Sequence, residues 1–300
     1  MPPQVCDVFG LGQCSLDYIG EIGSYPGADE KCEFTDMVIQ GGGPVATALT
    51  ALSRWGFSCS MSGVVGSDSF GSVILSSLRS EGIDTSGIMV RRDCASQFAF
   101  IACEPDTGRR TIFWRRPTGL PLLPDEINYN TIERARVVHT DGLFIDAALA
   151  ACQCARKAGI PVTVDGGTLR DGMLELARYS DCFIVSETFS RALIGDDNPG
   201  ETCRMLSQLG PRVVGVTRGS RGYVAMFDGK TVERPAYAVD VIDTTGCGDV
   251  FHAGITFGLI KKWNIEKSFD FAAWAAAMVS RKMGGREGIP TVEQIHEKGY

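Results

Sequence analysis

The chain is predicted to be an α/β protein: a doubly wound, mostly parallel sheet that carries a small inserted β-sheet as a lid. Three observations predict it. Short apolar runs bounded by Gly or Asp alternate with amphipathic stretches, the pattern of a parallel sheet covered by helices on both faces. Two early segments break this alternation with pairs of strand-like runs joined by turns. The 300 residues, 44% of them apolar, supply a core large enough for such a sheet.

Taken in order, strands are expected at residues 5–9, 58–64, 137–139, 162–165, 182–185, 213–217 and 223–227. Helical patterns fall at 45–54, 70–80, 147–158, 200–209, 250–261 and 269–282. The interruptions pair 16–23 with 33–39 and 97–104 with 111–115, with turns at Pro26-Gly27 and at 105–108. Together they predict lid insertions at about 14–40 and 95–118 within a single domain spanning 1–300. No repeat and no low-complexity linker interrupts it.

A formal charge of −7 and a pI near 5.1 exclude nucleic acid as the main partner. Arg109, Arg110, Arg115 and Arg116 form a local exception that could meet an anionic group or remain a solvated face. The eleven cysteines are scattered without a C-x-x-C pair, and only three histidines accompany them, so a His/Cys metal site is not expected. Cys6, Cys59 and Cys182 stand where small apolar residues would, as buried reduced thiols do. The first ten residues lack the basic start and apolar run of a signal peptide, and the longest apolar tract, around 271–279, is too short to span a bilayer. A cytoplasmic protein without membrane contact is expected.

Ligands of open α/β sheets bind beyond the carboxyl ends of the strands. Asp17, Asp141, Asp165, Glu187, Thr217 and Asp243 are expected there. Such carboxylates suit a site that orients hydroxyls or holds a hydrated Mg²⁺, although each Asp singly suits a turn or helix cap equally well. The most informative stretch is 241–254, VIDTTGCGDVFHAG. An apolar strand end (Val239, Val241, Ile242) is expected to run through a Gly246-Cys247-Gly248 turn into a long apolar helix. The free N–H groups opening that helix form an anion pocket. Asp249 beside it, expected to be ionised at neutral pH but a weak base, could accept a proton from an attacking hydroxyl.

Gly41-Gly42-Gly43-Pro44 opens an apolar helix and reads as a hinge or a close-approach surface for a polar ligand. Thr217, Gly219 and Gly222 follow a strand as a Gly-rich hairpin that could cradle part of a nucleotide. Trp114 could stack on a ligand, dock a second subunit or pack the small sheet on its core. Gly10-Leu11-Gly12 lacks the third glycine of a dinucleotide fingerprint and is followed by strand rather than helix, which makes a nicotinamide enzyme a distant reading. A phosphate-binding Walker loop is absent, since Gly229-Lys230-Thr231 lies in a hairpin-like turn.

These pieces in this order resemble the PfkB, or ribokinase-like, family of carbohydrate kinases over about residues 5–295. DTTGCGD at 243–249 resembles the family's C-terminal signature, with Cys247 for its alanine. The glycine run resembles the N-terminal signature, 216–222 the nucleotide-side strand and loop, and 63–71 the G-x-V-G-x-D-x-F-G segment. The resemblance implies a ribokinase-like fold and ATP-dependent phosphorylation of a sugar hydroxymethyl group. Asp249 is then the catalytic base, with the amides of Gly246, Cys247, Gly248 and Asp249 as the anion hole. Asp17, Gly42, Gly43, Thr47 and Asp141 match sugar contacts, and Thr217, Gly219 and Gly222 match nucleotide contacts. Asp243 and Thr245 match positions near a monovalent cation such as K⁺, with 284–288 nearby.

Three departures from the pattern stand out: the altered motif at 186–189, Thr47 and Pro44. Ser186 and Phe189 stand where the family's N-x-x-E motif has Asn and Glu, so Ser186 and Glu187 are the replacements on the nucleotide and Mg²⁺ side. Thr47 replaces an asparagine and Pro44 a lysine, both pointing away from ribose. GGREGIPT at 284–291 looks closer to ketohexokinase-like and sulfofructose-kinase-like relatives. A homodimer through the lid sheet is expected, since its edges are otherwise open. The other readings are a nucleoside kinase of the same fold and a sugar- or nucleotide-binding regulator with weak catalysis.

Overall fold

The computed structural model describes residues 6–104 and 109–300. Val5, which opened the first expected strand, and the expected turn at 105–108 lie outside them. The strands are β1 (Val8–Leu11), β2 (Ser15–Glu21), β3 (Asp36–Gly42), β4 (Cys59–Gly66), β5 (Asp84–Arg91), β6 (Phe98–Glu104), β7 (Arg109–Arg115), β8 (Val137–Thr140), β9 (Val162–Gly166), β10 (Cys182–Ser186), β11 (Val213–Thr217), β12 (Tyr223–Phe227) and β13 (Lys230–Arg234). Nine of them form one sheet in the order β13-β12-β11-β10-β9-β8-β1-β4-β5. It is parallel except for β12 and β13, which add an antiparallel hairpin at one edge.

Alternate residues of these strands serve opposite faces, as the pleat requires. Val8, Met61, Val65 and Val137 pack with Leu49, Val250 and Phe271 on one side. Phe9, Leu11, Val64 and Val138 pack with Ala147, Ala151 and Leu206 on the other. The helices Pro44–Arg54, Cys247–Ile260 and Ile265–Val279 cover the first face, and Ile145–Ala158 the second. Helix Cys247–Ile260 is buried almost all round beyond its first turn, which is why its sequence shows so little polar striping.

From β1 the chain winds outward to β4 and β5, then crosses back to β8 and winds the other way. The order therefore reverses between β1 and β8, where doubly wound sheets open their ligand crevice. Leu11 pairs with Thr140 there, so Gly12 and Gln13 leave the sheet beside Asp141.

The second sheet is the expected lid, in the order β3-β2-β6-β7. β2 runs antiparallel to β3 and parallel to β6, and β6 antiparallel to β7. β5 and the short helices Tyr129–Ile132, Met173–Ala177 and Glu187–Ile194 were not foreseen. One expectation is corrected: no strand leads into Asp243. Val241 and Ile242 are exposed, and the N–H groups of Ile242 and Asp243 both donate to the Ser280 carbonyl at a helix end (2.8 and 3.2 Å), so the segment pairs with no strand.

Asp68, from the segment 63–71, ties the lid to the large sheet. It caps helix Ser69–Ser80 by accepting the Gly71 N–H (2.8 Å) and also accepts the Ser96 hydroxyl (2.6 Å) and N–H (2.9 Å) just before β6. Loss of a cap together with two further hydrogen bonds should cost about 1–3 kcal/mol. Asp68→Ala is expected to lower the urea midpoint by that loss divided by the slope of the transition, with the slope itself unchanged.

Candidate active site

The signature loop is held by Asp243, which is almost completely buried. Its Oδ1 accepts the N–H (2.8 Å) and hydroxyl (2.7 Å) of Thr245, and its Oδ2 accepts the Gly284 N–H (2.9 Å). The loop is thereby fastened to the segment 284–288. Gly246 starts helix Cys247–Ile260 at φ 75°, and a Cβ there would stand 2.5 Å from the Gly285 α-carbon. Only glycine meets both demands.

Past that point the Cys247 N–H turns back to the Thr244 carbonyl (3.4 Å) and the Val250 N–H to that of Gly246 (2.9 Å). The amides of Gly248 and Asp249 have no partner among the described residues. Gly248 is exposed, and a side chain added there would meet nothing. Open space thus lies against free amides at the positive end of a buried helix, a setting that favours an anion.

Asp249 sits in the first turn of this helix, half-buried, and its carboxylate has no hydrogen-bond or ion-pair partner among the described residues. Burial first, and then the neighbouring charge of Asp165, push it up to about 7. Asp17 adds to the rise, while His252 and Arg110 oppose it. This corrects the expectation of an ordinary ionised carboxylate: removal from water without a donor disfavours the charge. A group that titrates near neutrality is better matched to taking a proton.

Asp17 is placed within lid strand β2 rather than at the rim of the large sheet. It is buried, accepts the Ser15 hydroxyl (2.6 Å), and is raised to about 6 by burial. Its carboxylate lies so close to Gly42 that any Cβ there would collide with it. Gly43 has φ 92°, and a Cβ would stand 2.7 Å from the Gln13 carbonyl. The glycine run is therefore a packed corner where β3 meets Asp17 and Gln13, not a slack hinge. Thr47, one turn into helix Pro44–Arg54, is buried.

Asp141 stands at the crevice between β1 and β8. Its Oδ2 accepts the N–H (2.9 Å) and side-chain amide (3.1 Å) of Gln13, and its Oδ1 the Leu143 N–H (2.9 Å). Burial raises it to about 6. Gln97 in turn donates to Gln13 Oε1 (2.9 Å). Sequence reasoning missed both glutamines, although Gln13 directly follows the Gly10–Gly12 turn at a strand end.

Of the residues expected at the nucleotide, Thr217 ends β11 and its hydroxyl reaches the Val185 carbonyl (3.4 Å). Gly219 faces open space, whereas Gly222, at φ 81°, packs against the Arg234 carbonyl. Ser186 ends β10, accepts the Phe189 N–H (3.0 Å) as a helix cap and donates to the Gly167 carbonyl (2.8 Å). Glu187 is ion-paired to Arg191 (3.3 Å) and to Arg221, so two cations already neutralise it. The lid arginines divide: Arg109 pairs with Glu104 (2.9 Å), Arg116 lies over the exposed Trp114 ring (5.5 Å), and Arg110 donates to the Thr244 hydroxyl of the signature loop.

Asp249 thus faces Asp17 and Arg110 from the lid and Asp165 from the end of β9. A free carboxylate beside free backbone amides, under a lid carrying a cation, is an arrangement suited to transfer of an anionic phosphate group. The chain belongs to the pfkB family carbohydrate kinases, whose profile matches residues 7–292; it is a phosphotransferase, an ATP-dependent sugar kinase. It is 25% identical to fructokinase-2 of Zea mays over 95% of this chain and 91% of that one. A crystal structure from Agrobacterium tumefaciens, provisionally described as a ribokinase, superposes with a TM-score of 0.88 at 25% identity, covering 97% and 96% of the two chains. Arabidopsis thaliana ribokinase, solved with ribose and ATP, shares the fold with a TM-score of 0.84 at 21% identity over 99% and 98%. These relatives are a fructokinase and ribokinases, not ketohexokinases or sulfofructose kinases. Among the described residues no helix is long and apolar enough to cross a membrane.

Because a methyl at Gly248 meets no protein atom, Gly248→Ala should leave stability unchanged or raise it by about 0.4–1 kcal/mol. The same methyl would crowd the space in front of the free amides. Thermal melting and a steady-state assay on one preparation are expected to show intact folding with transfer reduced at least about tenfold.

Proposed function

We propose that the protein transfers the γ-phosphoryl group of ATP to a hydroxymethyl group of a small carbohydrate, a ketohexose-like sugar being favoured, with Asp249 as general base. The observation that carries this reading is the unpartnered Asp249 carboxylate next to the free amides of Gly248 and Asp249. The sugar would lie between the lid and the crevice, in reach of Asp17, with Gln13 and Asp141 shaping the crevice floor. Asp249 would take the hydroxyl proton as the oxygen attacks, and the amides would hold the charge spread over the phosphoryl oxygens. Arg110, already seated on the signature loop, would close the lid and exclude water. The fructokinase relatives and the segment 284–291 both support a ketohexose over ribose.

The described residues contain no cluster of three His, Cys, Asp or Glu side chains that could hold a metal. Mg²⁺ fits instead as a hydrated ion bound chiefly by the triphosphate, a mode it commonly adopts; there it would neutralise phosphate charge. Glu187 could join it through water only by leaving its arginines. A monovalent cation near Asp243 and Thr245 would rely on loop carbonyls, because that carboxylate already accepts three hydrogen bonds. Thr217, Gly219 and Ser186 would line the nucleotide. The buried thiols suit a reducing cytoplasm.

Asp249→Asn is expected to lower kcat with fructose and ATP by at least about 10²-fold, the usual scale of general-base catalysis. ATP binding by calorimetry should be retained, and near-normal turnover would refute the base assignment. A parallel panel of ketoses, aldoses, sugar phosphates and nucleosides tests the substrate class; preference for adenosine would favour a nucleoside kinase.

The base must be unprotonated, so kcat/KM should be flat above about pH 7 and fall about tenfold per pH unit below it. A profile flat down to pH 5 would mean that the base titrates as an ordinary carboxylate.

We also propose that the lid sheet pairs two copies of the chain. Every residue of β7 is exposed, including Ile112, Phe113 and Trp114, as are Met37 and Ile39 on β3 at the opposite edge. Light scattering should report a dimer that Phe113→Glu converts to a monomer, whereas a wild-type monomer at micromolar concentration would exclude the pairing.

A further inference from the structure

Beneath the site lies a buried polar cluster that the proposed transfer does not use. His252 is on the same helix as Asp249, three residues on and therefore on the same face one turn deeper. Its Nε2 is 3.2 Å from Oδ1 of Asp165, and both side chains are almost completely buried. The cluster is well fastened. Thr256 donates its hydroxyl to the His252 carbonyl (3.0 Å) and lies 3.2 Å from the hydroxyl of Thr163, which in turn lies 2.9 Å from Nδ1 of His139. The His139 and His252 rings are 6.1 Å apart. Helix Cys247–Ile260 cannot move Asp249 without moving this cluster.

We infer that Asp165 and His252 form a buried ion pair that acts as a positioning and charge-setting device for Asp249, the carboxylate of Asp165 holding a proton on His252 and the pair together fixing the pH at which Asp249 becomes a base. A buried carboxylate is tolerated only when paired, and the His252 imidazole, 3.2 Å away, is the side chain placed to pair with it. Burial alone would raise Asp165, but the His252 charge and hydrogen bond, with His139 behind, hold it below the usual carboxylate range. Burial first, and then His252, push His139 down to about 4, so His139 remains neutral.

The groups facing each member are few. Asp249 sees Asp165 from β9, Asp17 from β2, Arg110 from β7, and His252 and Cys247 from its own helix. Asp165 sees His252, His139, Asp141 and Arg170. The pair presents Asp249 with opposite charges on two different elements. Removing one must therefore move the base in the direction opposite to removing the other, whereas loss of packing would move neither.

The inference rests on the proposed role of Asp249, and its first test does not. In ¹⁵N-histidine-labelled wild-type protein at pH 7, one of the three histidines should show both ring nitrogens protonated and lose that signature in Asp165→Asn. A neutral His252 would overturn the proposal whether or not the protein phosphorylates a sugar. In the kinetic test, His252→Asn leaves the Asp165 charge uncompensated and should move the acid limb of kcat/KM up by about one pH unit. Asp165→Asn should move it down, and the double variant should follow Asp165→Asn. Unmoved limbs, or limbs moving together, in variants with wild-type circular dichroism would contradict it. Should either variant fail to fold, the wild-type spectrum still decides once the exposed His296 is assigned with His296→Gln: a doubly protonated ring that persists in that variant supports the pair, and none contradicts it.

Discussion

A carboxylate left without a hydrogen-bond partner at the opening of a buried helix is the constraint on which the rest depends. An unsatisfied, partly desolvated acid is costly and persists only where the surrounding structure over-determines it. Here Asp249 is fixed from behind by a helix buried in the core, and from the side by a loop that Asp243 and Gly246 lock onto the segment 284–288. The same desolvation that raises its proton affinity leaves two backbone amides facing open space. The raised carboxylate and the open amides are two consequences of one helix start.

The large sheet explains why that start is where it is. Reversal of winding between β1 and β8 opens a crevice, and the register of those strands delivers Gln13 beside Asp141. The lid is threaded from the same region: β2 leaves the crevice carrying Asp17, and β3 returns through the glycine corner into helix Pro44–Arg54. Asp17, the glycine corner and the helix that packs against Cys247–Ile260 therefore belong to one continuous piece of chain. Arg110 adds a lid cation on the signature loop itself. Motion of the lid would alter the charge facing Asp249 as well as the access of water.

Much of this was legible in the sequence, for physical reasons. The apolar runs of β8 to β11 are buried on both faces and read as parallel strands. The lid strands announced themselves because two-period runs with turns interrupt the helix alternation. The Gly-Cys-Gly-Asp helix opening was legible because an anion pocket has few other uses for that spacing. What failed needed three dimensions. Val239 to Ile242 look like a strand by composition, but no partner edge is available to them. The glycine run looked flexible, and only the proximity of Asp17 and Gln13 shows that it is crowded. The raised titration of Asp249 depends first on its burial and then on Asp165, 84 positions earlier in the chain. Gln13 and Gln97 meet across 84 positions as well, and no local pattern marks either.

The most direct measurement is a crystal structure of the protein with fructose and a non-hydrolysable ATP analogue. The account requires a primary hydroxyl of the sugar within about 2.6–3.2 Å of an Asp249 carboxylate oxygen, in line with a γ-phosphate resting on the amides of Gly248 and Asp249. A γ-phosphate bound elsewhere, or an Asp249 turned away from the sugar while both ligands are seated, would contradict it.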